Sequence, residues 1–416
     1  MKLHWKIIIA MIAGVFVGYL FNILEYQDHP YYNDRYDLIL LLGDIFIRLL
    51  KMVIVPLVFT SIILGVSSIK DRTKIGRLGF KTFLYYISTS LIAILIGLFL
   101  ANTIQPGVGA STISSAGAFD ASQLNSSSSM LDILKRMIPI NPISAFVNGD
   151  MLAIIFFAVF FGVTLSFINP KHSSPITSVI NSIYSVMIKM TQIIISLAPI
   201  GVFGLMVKAV SNSGISIFKE LGLYAATIAS GLSIHLFIIM PLILIIFVNI
   251  NPLKHFKAIA SAMVTAFSTS SSNATLPVTM KCVRDNVKVS NETSSFVLPM
   301  GSTINMDGTA LYECAGVLFI AQALGIPLDA GQQFIVVFTA LLASIGAAGI
   351  PSAGLVMLFI VTEAVGLQSD AVAIWVGSML AIDRPLDMFR TMVNISSDSV
   401  GAAVIAKSEG ETLYDE

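Results

Sequence analysis

Residues 371–407 constrain this chain more than any other stretch. They read AVAIWVGSMLAIDRPLDMFRTMVNISSDSVGAAVIAK, apolar enough for a transmembrane helix, yet Asp383, Arg384, Asp387, Arg390 and Asp398 fall within 16 residues. An ionisable group at membrane depth costs on the order of several kcal/mol and usually faces a bundle interior or an aqueous cavity. On a helix, Asp387, Arg390, Thr391, Asn394 and Asp398 follow one another at spacings of three, one, three and four, so they line one polar stripe. A structural ion pair needs two such residues. Five in register predict a binding site for something charged.

The rest of the chain agrees with a membrane setting. Only 12% of its 416 residues are charged and 56% are hydrophobic, against about a quarter charged in an ordinary soluble protein. Lys+Arg and Asp+Glu balance at 24 each, so nothing points to nucleic acid, and lipid is the expected partner. Cys282 and Cys314 fall in or beside apolar segments, which suggests neither a disulfide framework nor a metal site. Residues 5–24 follow a basic start but lack a small-residue cleavage site, and are read as a first spanning helix rather than a signal peptide.

Further apolar segments cover residues 38–69, 82–104, 131–168, 176–210 and 223–250. Several exceed one span, which predicts tilt, kinks or extra helical pieces. The fourth contains Pro139 and Pro142 and is expected to be broken. Lys70, Arg72, Lys74, Arg77 and Lys81 between the second and third segments mark a cytoplasmic loop, and the acidic first loop suits the outside. Both termini are expected in the cytoplasm, in a cell (inner) membrane. Residues 110–130, rich in Ser, Gly and Ala, read as an external linker.

The final third changes character. AFSTSSSNATLPVTM places hydroxyls between apolar flanks with basic residues at both ends, which predicts a re-entrant hairpin entered from the cytoplasm. A helix over about 294–323 follows, interrupted by GSTINMDGT. A second broken apolar stretch, LLASIGAAGIPSAGLVML, is expected to dip in from outside, and the stripe-bearing helix comes last. Ser270 precedes Pro277 by seven residues and Ser344 precedes Pro351 by seven, with Ala274 and Ala348 at the same offset. Paired interrupted segments of opposite orientation point to a transporter's midplane site.

Within the stripe, Arg390 offers a planar fork suited to a carboxylate, and Asp387, one turn earlier, can accept from an ammonium. The two could instead simply pair with each other. Neighbouring Thr391, Asn394, Ser272 and Thr309 would complete a site for a small zwitterion with an extra carboxylate. Gly301, Thr303, Asn305, Asp307 and Thr309 gather oxygens along one interrupted helix, and hard oxygen ligands without nearby His or thiolate suit an alkali cation. Asn394 and Asp398 could form a second ion site. Structural roles for Asp307 and Asp398 are the alternative.

Four motifs then carry a resemblance: SSSNATLP (270–277), NMDGT (305–309), SIGAAGIPSAG (344–354) and LDMFRTMVNISSDSVGAAVIAK (386–407). Together with KMVIVPLVFTSIILGV (51–66) and LYYISTS (84–90), they make the chain similar to the glutamate/aspartate transporters, the dicarboxylate/amino acid:cation symporter family. The resemblance spans essentially the whole chain. It implies an all-α polytopic membrane protein with eight transmembrane helices and two re-entrant helical hairpins in inverted repeats, assembled as a homotrimer and working as an elevator. Residues 1–79 would be mainly scaffold. Residues 80–130 would hold the third helix, in the transport domain, and the external linker. Residues 131–252 would be scaffold and trimerisation helices with the sixth helix in the transport domain, and 253–416 the transport core.

By the same resemblance, Arg390 would bind the substrate's side-chain carboxylate and Asp387 its amino group. Ser270, Ser271, Ser272, Thr309, Thr391 and Asn394, with backbone at Ile350 and Gly354, would complete the substrate site. One sodium would take Gly301, Asn305, Asn394 and Asp398; a second Thr303 with backbone at Ser344, Ile345 and Ala347; a third Tyr86, Thr89, Ser90, Asn305 and Asp307. Sodium ions would be co-transported, and no organic cofactor is expected.

The chain departs from that pattern in ways that matter. Members commonly carry a second arginine at the position of Ser270 or of Met388, and here both are absent. Asn273 replaces a usual serine, and Arg384–Pro385 is an unusual pair inside the last helix, where Arg384 would either partner Asp383, the role expected of it, or fill part of the missing arginine's role. The expected function is sodium-coupled symport of aspartate or glutamate, with no enzymatic activity. The alternative is a proton-coupled glutamate or C4-dicarboxylate carrier of the same fold. A dicarboxylate would leave Asp387 without an ammonium, and a neutral amino acid would leave Arg390 a buried unpaired charge. An intramembrane aspartyl protease would need two carboxylates sharing a proton, and Arg390 would keep Asp387 ionised. An anion leak, implied by the resemblance, would be a by-product of transport.

Overall fold

A computed structural model describes residues 3–23, 33–67, 74–110, 135, 138–213, 217–347, 353–367 and 370–414. Every regular element among them is helical. The external-linker expectation for 110–130 and the second hairpin tip, including Ile350, lie outside the described residues apart from Ala110.

The first part is built from α1 (Leu3–Ile23), α2 (Asn33–Ser67), α3 (Lys74–Ile104), α4 (Pro142–Asn148), α5 (Met151–Phe167), α6 (Pro170–Ser196) and α7 (Ala198–Ser213). The fourth apolar segment is broken as expected, with Pro139 in a non-helical stretch over 138–141 and a second break further on. Pro142 opens α4 behind the N-cap Asn141, and the chain turns at Gly149, whose φ is +69°. A proline in a first turn loses no helical hydrogen bond, whereas a left-handed residue ends the helix. The fifth segment, read as one span, is two helices bent by 56° across Leu197. Gly14 and Gly18, four apart on α1, let its backbone lie on α7: a methyl group at Gly14 would stand 2.8 Å from the Phe203 carbonyl. Small residues at this spacing are a common device of helix contact in lipid.

α8 (Ile217–Ile234) continues through π-helical stretches at His235–Ile239 and Leu244–Val248, with a helical turn at Met240–Ile243 between them. By length and composition, Phe218–Val248 and Arg77–Ile104 each suffice to cross a bilayer, and the bent pair α6–α7 adds a third candidate among the described residues.

The last third holds α9 (Pro252–Ala258), α10 (Ala260–Thr269), α11 (Ser272–Cys282), α12 (Asn291–Ile304), α13 (Asp307–Ala323), α14 (Ala330–Gly346), α15 (Ala353–Ala364) and α16 (Asp370–Ser408). α10 and α11 pack on each other as a hairpin whose bend is Ser270 at φ +52°. Ser271 then caps α11 by accepting from Ala274 N. α14 and α15 form the second hairpin. The expected interruption at GSTINMDGT is a break at Asn305–Met306 between α12 and α13. α13 is buried along nearly its whole length, under α3, α14, α15 and α16. At 39 residues, α16 runs about 58 Å, and it touches both hairpins and both halves of the broken helix.

The carboxy-terminal tail fastens one end of this assembly. Glu409 accepts from Lys81 Nζ at 2.6 Å and from Arg77, both in the first turns of α3. Hydrogen bonds from Lys81 and Arg77 hold its carboxyl below the usual glutamate range. Glu411 accepts from Ser290 N and Oγ, each at 2.7 Å, and from Thr293 Oγ1, at the N-terminus of α12. The Tyr414 hydroxyl lies 2.7 Å from His255 Nδ1 on α9, and its backbone N–H donates to Val287 O. Six residues, 409–414, thus join α3, α9, the stretch after α11 and the start of the broken helix.

Candidate functional site

Two clusters of buried polar groups lie at the middle of α16, and a cavity opens beside α12. In the first, one nitrogen serves two carboxylates: Arg390 Nη2 donates to Asp383 Oδ1 at 3.0 Å and to Asp387 Oδ1 at 2.8 Å. The spacings are i+7 and i+3, so all three side chains share one helical face. The guanidinium carbon lies 3.8 Å from the centroid of the Tyr312 ring, a cation–π contact that water exclusion strengthens. Arg390 is only 1% exposed, and its Nε and Nη1 have no hydrogen-bond partner among the described residues. A methyl group at Gly354 would stand 3.0 Å from Nη1, so the returning helix of the second hairpin lies against the guanidinium.

The charge pairing differs from the sequence expectation. Asp383, expected beside Arg384, is held by Arg390, while Arg384 Nη1 lies 3.8 Å from Asp387 Oδ2. Seven residues are close to two full turns, so Asp383 projects onto the face of Arg390, and Arg384, one residue on, is rotated by about 100°. Asp387 and Arg390, considered both as ligands and as a pair, do form the pair.

Hydroxyls and amides extend this cluster along α16. Thr391 Oγ1 donates to the Asp387 carbonyl at 2.8 Å. Asn394 Nδ2 donates to Thr309 Oγ1 at 3.3 Å, and Asn394 Oδ1 accepts from Gly308 N at 2.8 Å, which ties α16 to the first turn of α13. At the first hairpin bend Ser270, Ser271 and Ser272 are buried, and Ser270 Oγ has no partner among the described residues.

The second cluster centres on Asp307, which begins α13. Its Oδ1 accepts from Ser90 Oγ at 2.6 Å and Thr89 Oγ1 at 3.3 Å; its Oδ2 accepts from Ser397 Oγ at 2.7 Å and lies 2.9 Å from His235 Nε2. Thr89 Oγ1 is also 3.4 Å from Asn305 Oδ1. The helix break thus delivers Asn305 and Asp307 to Thr89 and Ser90 of α3, as expected. The Tyr86 hydroxyl donates to the Val297 carbonyl instead. The sequence reading placed no histidine here, yet His235 reaches Asp307 from the first π-helical stretch of α8.

One helical turn beyond Asn394, Asp398 Oδ1 accepts from Asn305 Nδ2 at 2.9 Å. A methyl group at Gly301 would stand 2.4 Å from that oxygen and 2.6 Å from the Tyr86 hydroxyl, so only glycine brings the α12 backbone this close. Gly301, Asn305 and Asp398 therefore meet, while Asn394 hydrogen-bonds to α13. A cavity of about 400 Å³ beside α12 is lined by Thr303, Ile304, Ile345 and Ala347 together with Ser61 and Asn181. Ser344 beside it is buried and donates to Leu341 O.

Sequence reasoning also missed Glu313, Tyr312 and Ser397. Both carboxyl oxygens of Glu313 are buried without a hydrogen-bond partner among the described residues. His235 and Glu313 each carried a readable signal, a lone ionisable residue within an apolar segment. Tyr312 and Ser397 carried none, because both residue types are ordinary in a helix.

Comparison with known proteins matches these features to one group. Residues 3–408 match the sodium:dicarboxylate symporter family. Excitatory amino acid transporter 3 of Mus musculus is 33% identical over 459 residues, which cover 99% of this chain and 86% of the relative. Excitatory amino acid transporter 2 of Homo sapiens is 32% identical over 460 residues, 97% and 79% respectively. The proton/glutamate-aspartate symporter of Escherichia coli (strain K12) is 32% identical over 427 residues, 98% and 93%. The chain belongs to the sodium:dicarboxylate symporter family, whose members are membrane transporters and not enzymes.

Proposed function

We propose that this protein is a secondary active symporter of acidic amino acids, aspartate or glutamate, driven by sodium. The observation that carries the reading is Arg390: a buried guanidinium, positioned by two carboxylates and an aromatic face, with Nε and Nη1 still without partners. Such a group suits a carboxylate, and an unmet buried donor costs about 1–3 kcal/mol. On this reading the substrate's side-chain carboxylate takes the open N–H groups, and its ammonium takes Asp387. The α-carboxylate and remaining polar atoms face Ser270, Ser271, Ser272, Thr309, Thr391 and Asn394, with the second hairpin, from Ile350 to Gly354, closing over them.

Sodium ions are co-substrates here. Tyr86, Thr89, Ser90, Asn305 and Asp307 form one site; Gly301, Asn305, Asn394 and Asp398 a second; Thr303 with the backbone of Ser344, Ile345 and Ala347 a third. Hard oxygen donors at each suit an alkali cation. Residues 253–416, with the third and sixth helices, form the mobile transport domain of an elevator. The remaining helices are the scaffold of a homotrimer with eight spans and two hairpins, both termini cytoplasmic. Attachment of the tail to α3, α9 and α12 supports that grouping, because every element it ties falls in the mobile set.

A second reading, proton coupling, is favoured by Glu313. A carboxylate with no partner at that depth is strongly disfavoured, so the group suits carrying a proton, and one relative's name includes proton symport. Reconstitution in liposomes decides between them: uptake of labelled aspartate, glutamate, succinate and serine, with sodium and proton gradients imposed separately. Sodium alone should drive aspartate or glutamate accumulation. Accumulation driven by protons alone, and abolished in Glu313→Gln, would establish the second reading in its place.

A further inference from the structure

We propose that Arg384 is a specificity-determining residue of the substrate site, supplying the second positive charge that lets a net-negative amino acid bind. The inference rests on the acidic amino-acid reading above. Its observations are the placement of Arg384 Nη1 3.8 Å from Asp387 Oδ2, an Nε that is buried with no partner among the described residues, and a side chain still 22% exposed.

Asp383, Arg384, Asp387 and Arg390 lie within two turns of α16, two negative and two positive. One nitrogen of Arg390 holds both aspartates. When a substrate carboxylate takes the open donors of Arg390, that single guanidinium faces three carboxylates. A neutral amino acid brings its own compensating ammonium and adds no net charge. An acidic one adds a full negative charge to a site whose surroundings are poorly solvated. Arg384 stands by the opposite carboxylate oxygen of Asp387 from Arg390.

Arg384 is also placed to respond. Pro385 follows it inside α16 and has no N–H, so the Ala381 carbonyl loses its helical donor and the helix is locally freed there. The side chain thus stands beside a weakened turn with a donor still open. Ser270 and Met388 supply no second positive charge. Arg384 brings that charge from the preceding turn, on the Asp387 side of the site.

At an effective dielectric of about 20, unit charges within one helical turn of each other interact strongly enough for roughly a tenfold effect, reduced by the partial exposure of Arg384. The test is uptake of labelled aspartate into proteoliposomes by wild type, Arg384→Ala, Arg384→Gln and Arg384→Lys, with unlabelled aspartate and serine as competitors. Removing the charge should raise the aspartate KM about tenfold and lower the serine-to-aspartate ratio of inhibition constants by about the same factor. Lysine should keep both within about threefold of wild type. Glutamine, which keeps polar reach without charge, should behave like alanine and stands in if the alanine protein does not fold. An unchanged ratio in the neutral variants overturns the proposal, as does a lysine variant equal to them. Where serine competes in no variant, the aspartate KM alone decides, and equal values in lysine and glutamine variants overturn it. Wild type that accumulates no aspartate would instead refute the functional reading.

Discussion

His235 Nε2 lies 2.9 Å from Asp307 Oδ2, with both side chains essentially removed from solvent. The contact joins the π-helical stretch of α8 to the first residue of α13. With Ser397 on the same oxygen, it fixes the carboxylate so that Oδ1 turns toward Thr89 and Ser90. Groups that orient an ion ligand from behind are worth roughly 10–100-fold in ion affinity.

His235→Leu should therefore raise the sodium concentration for half-maximal aspartate uptake by about tenfold, and His235→Gln, which keeps a donor, by much less. Sodium titrations of uptake in the two variants check this. Equal, unshifted titrations would show that Asp307 is oriented without the imidazole.

Asp398→Asn separates charge from hydrogen bonding. The asparagine carbonyl can still accept from Asn305 Nδ2, so the tie between α12 and α16 is kept while the negative charge is lost. Sodium affinity should fall at least tenfold with little change in thermal stability. A sodium titration like that of wild type would remove Asp398 from the ion site.

Gly301→Ala tests the same place sterically. Its methyl group would stand 2.4 Å from Asp398 Oδ1, so the α12 backbone or the carboxylate has to shift. Sodium-dependent aspartate binding should be lost or cut by more than tenfold in protein that still purifies as a folded species. Normal binding would mean that the close approach is not needed.

Arg390→Ala should reduce aspartate affinity by at least a hundredfold. It should also lower stability, because Asp383 and Asp387 lose their shared cation and breaking a buried pair costs about 3–5 kcal/mol. Binding and melting measured on one preparation separate the two effects. Full aspartate affinity in this variant would refute the carboxylate assignment.

The tail predicts an acid-sensitive contact. Hydrogen bonds from Lys81 and Arg77 depress the Glu409 carboxyl in the folded protein. The stability it contributes is therefore present above its unfolded value near pH 4.3 and is lost as pH falls through the folded value. The melting temperature difference between wild type and Glu409→Gln should be largest well above the unfolded value and should fall away as the pH drops below it. The difference should also shrink in high salt, since Arg77 is 61% exposed. A difference independent of pH would assign the effect to packing.

The sequence by itself determined the class of the protein and the helix that carries its buried charges. Apolar segments of span length leave the chain no other solvent than lipid, and a polar stripe at helical spacing must lie on one face of α16, because both signals are local. The interruptions at Ser270 and at Asn305–Met306 were legible as polar runs between apolar flanks, although Pro277 and Pro299 lie inside α11 and α12 and not at the breaks themselves. Tertiary structure decided which groups meet. Asp383 goes to Arg390 and Arg384 to Asp387, His235 arrives at Asp307 from 72 residues away, and Glu411 caps a helix that starts 120 residues earlier. Such pairings depend on how helices are rotated and offset against one another. That is settled by close packing at contacts such as Gly14 on α7 and Gly301 beneath Asp398, which no single segment encodes.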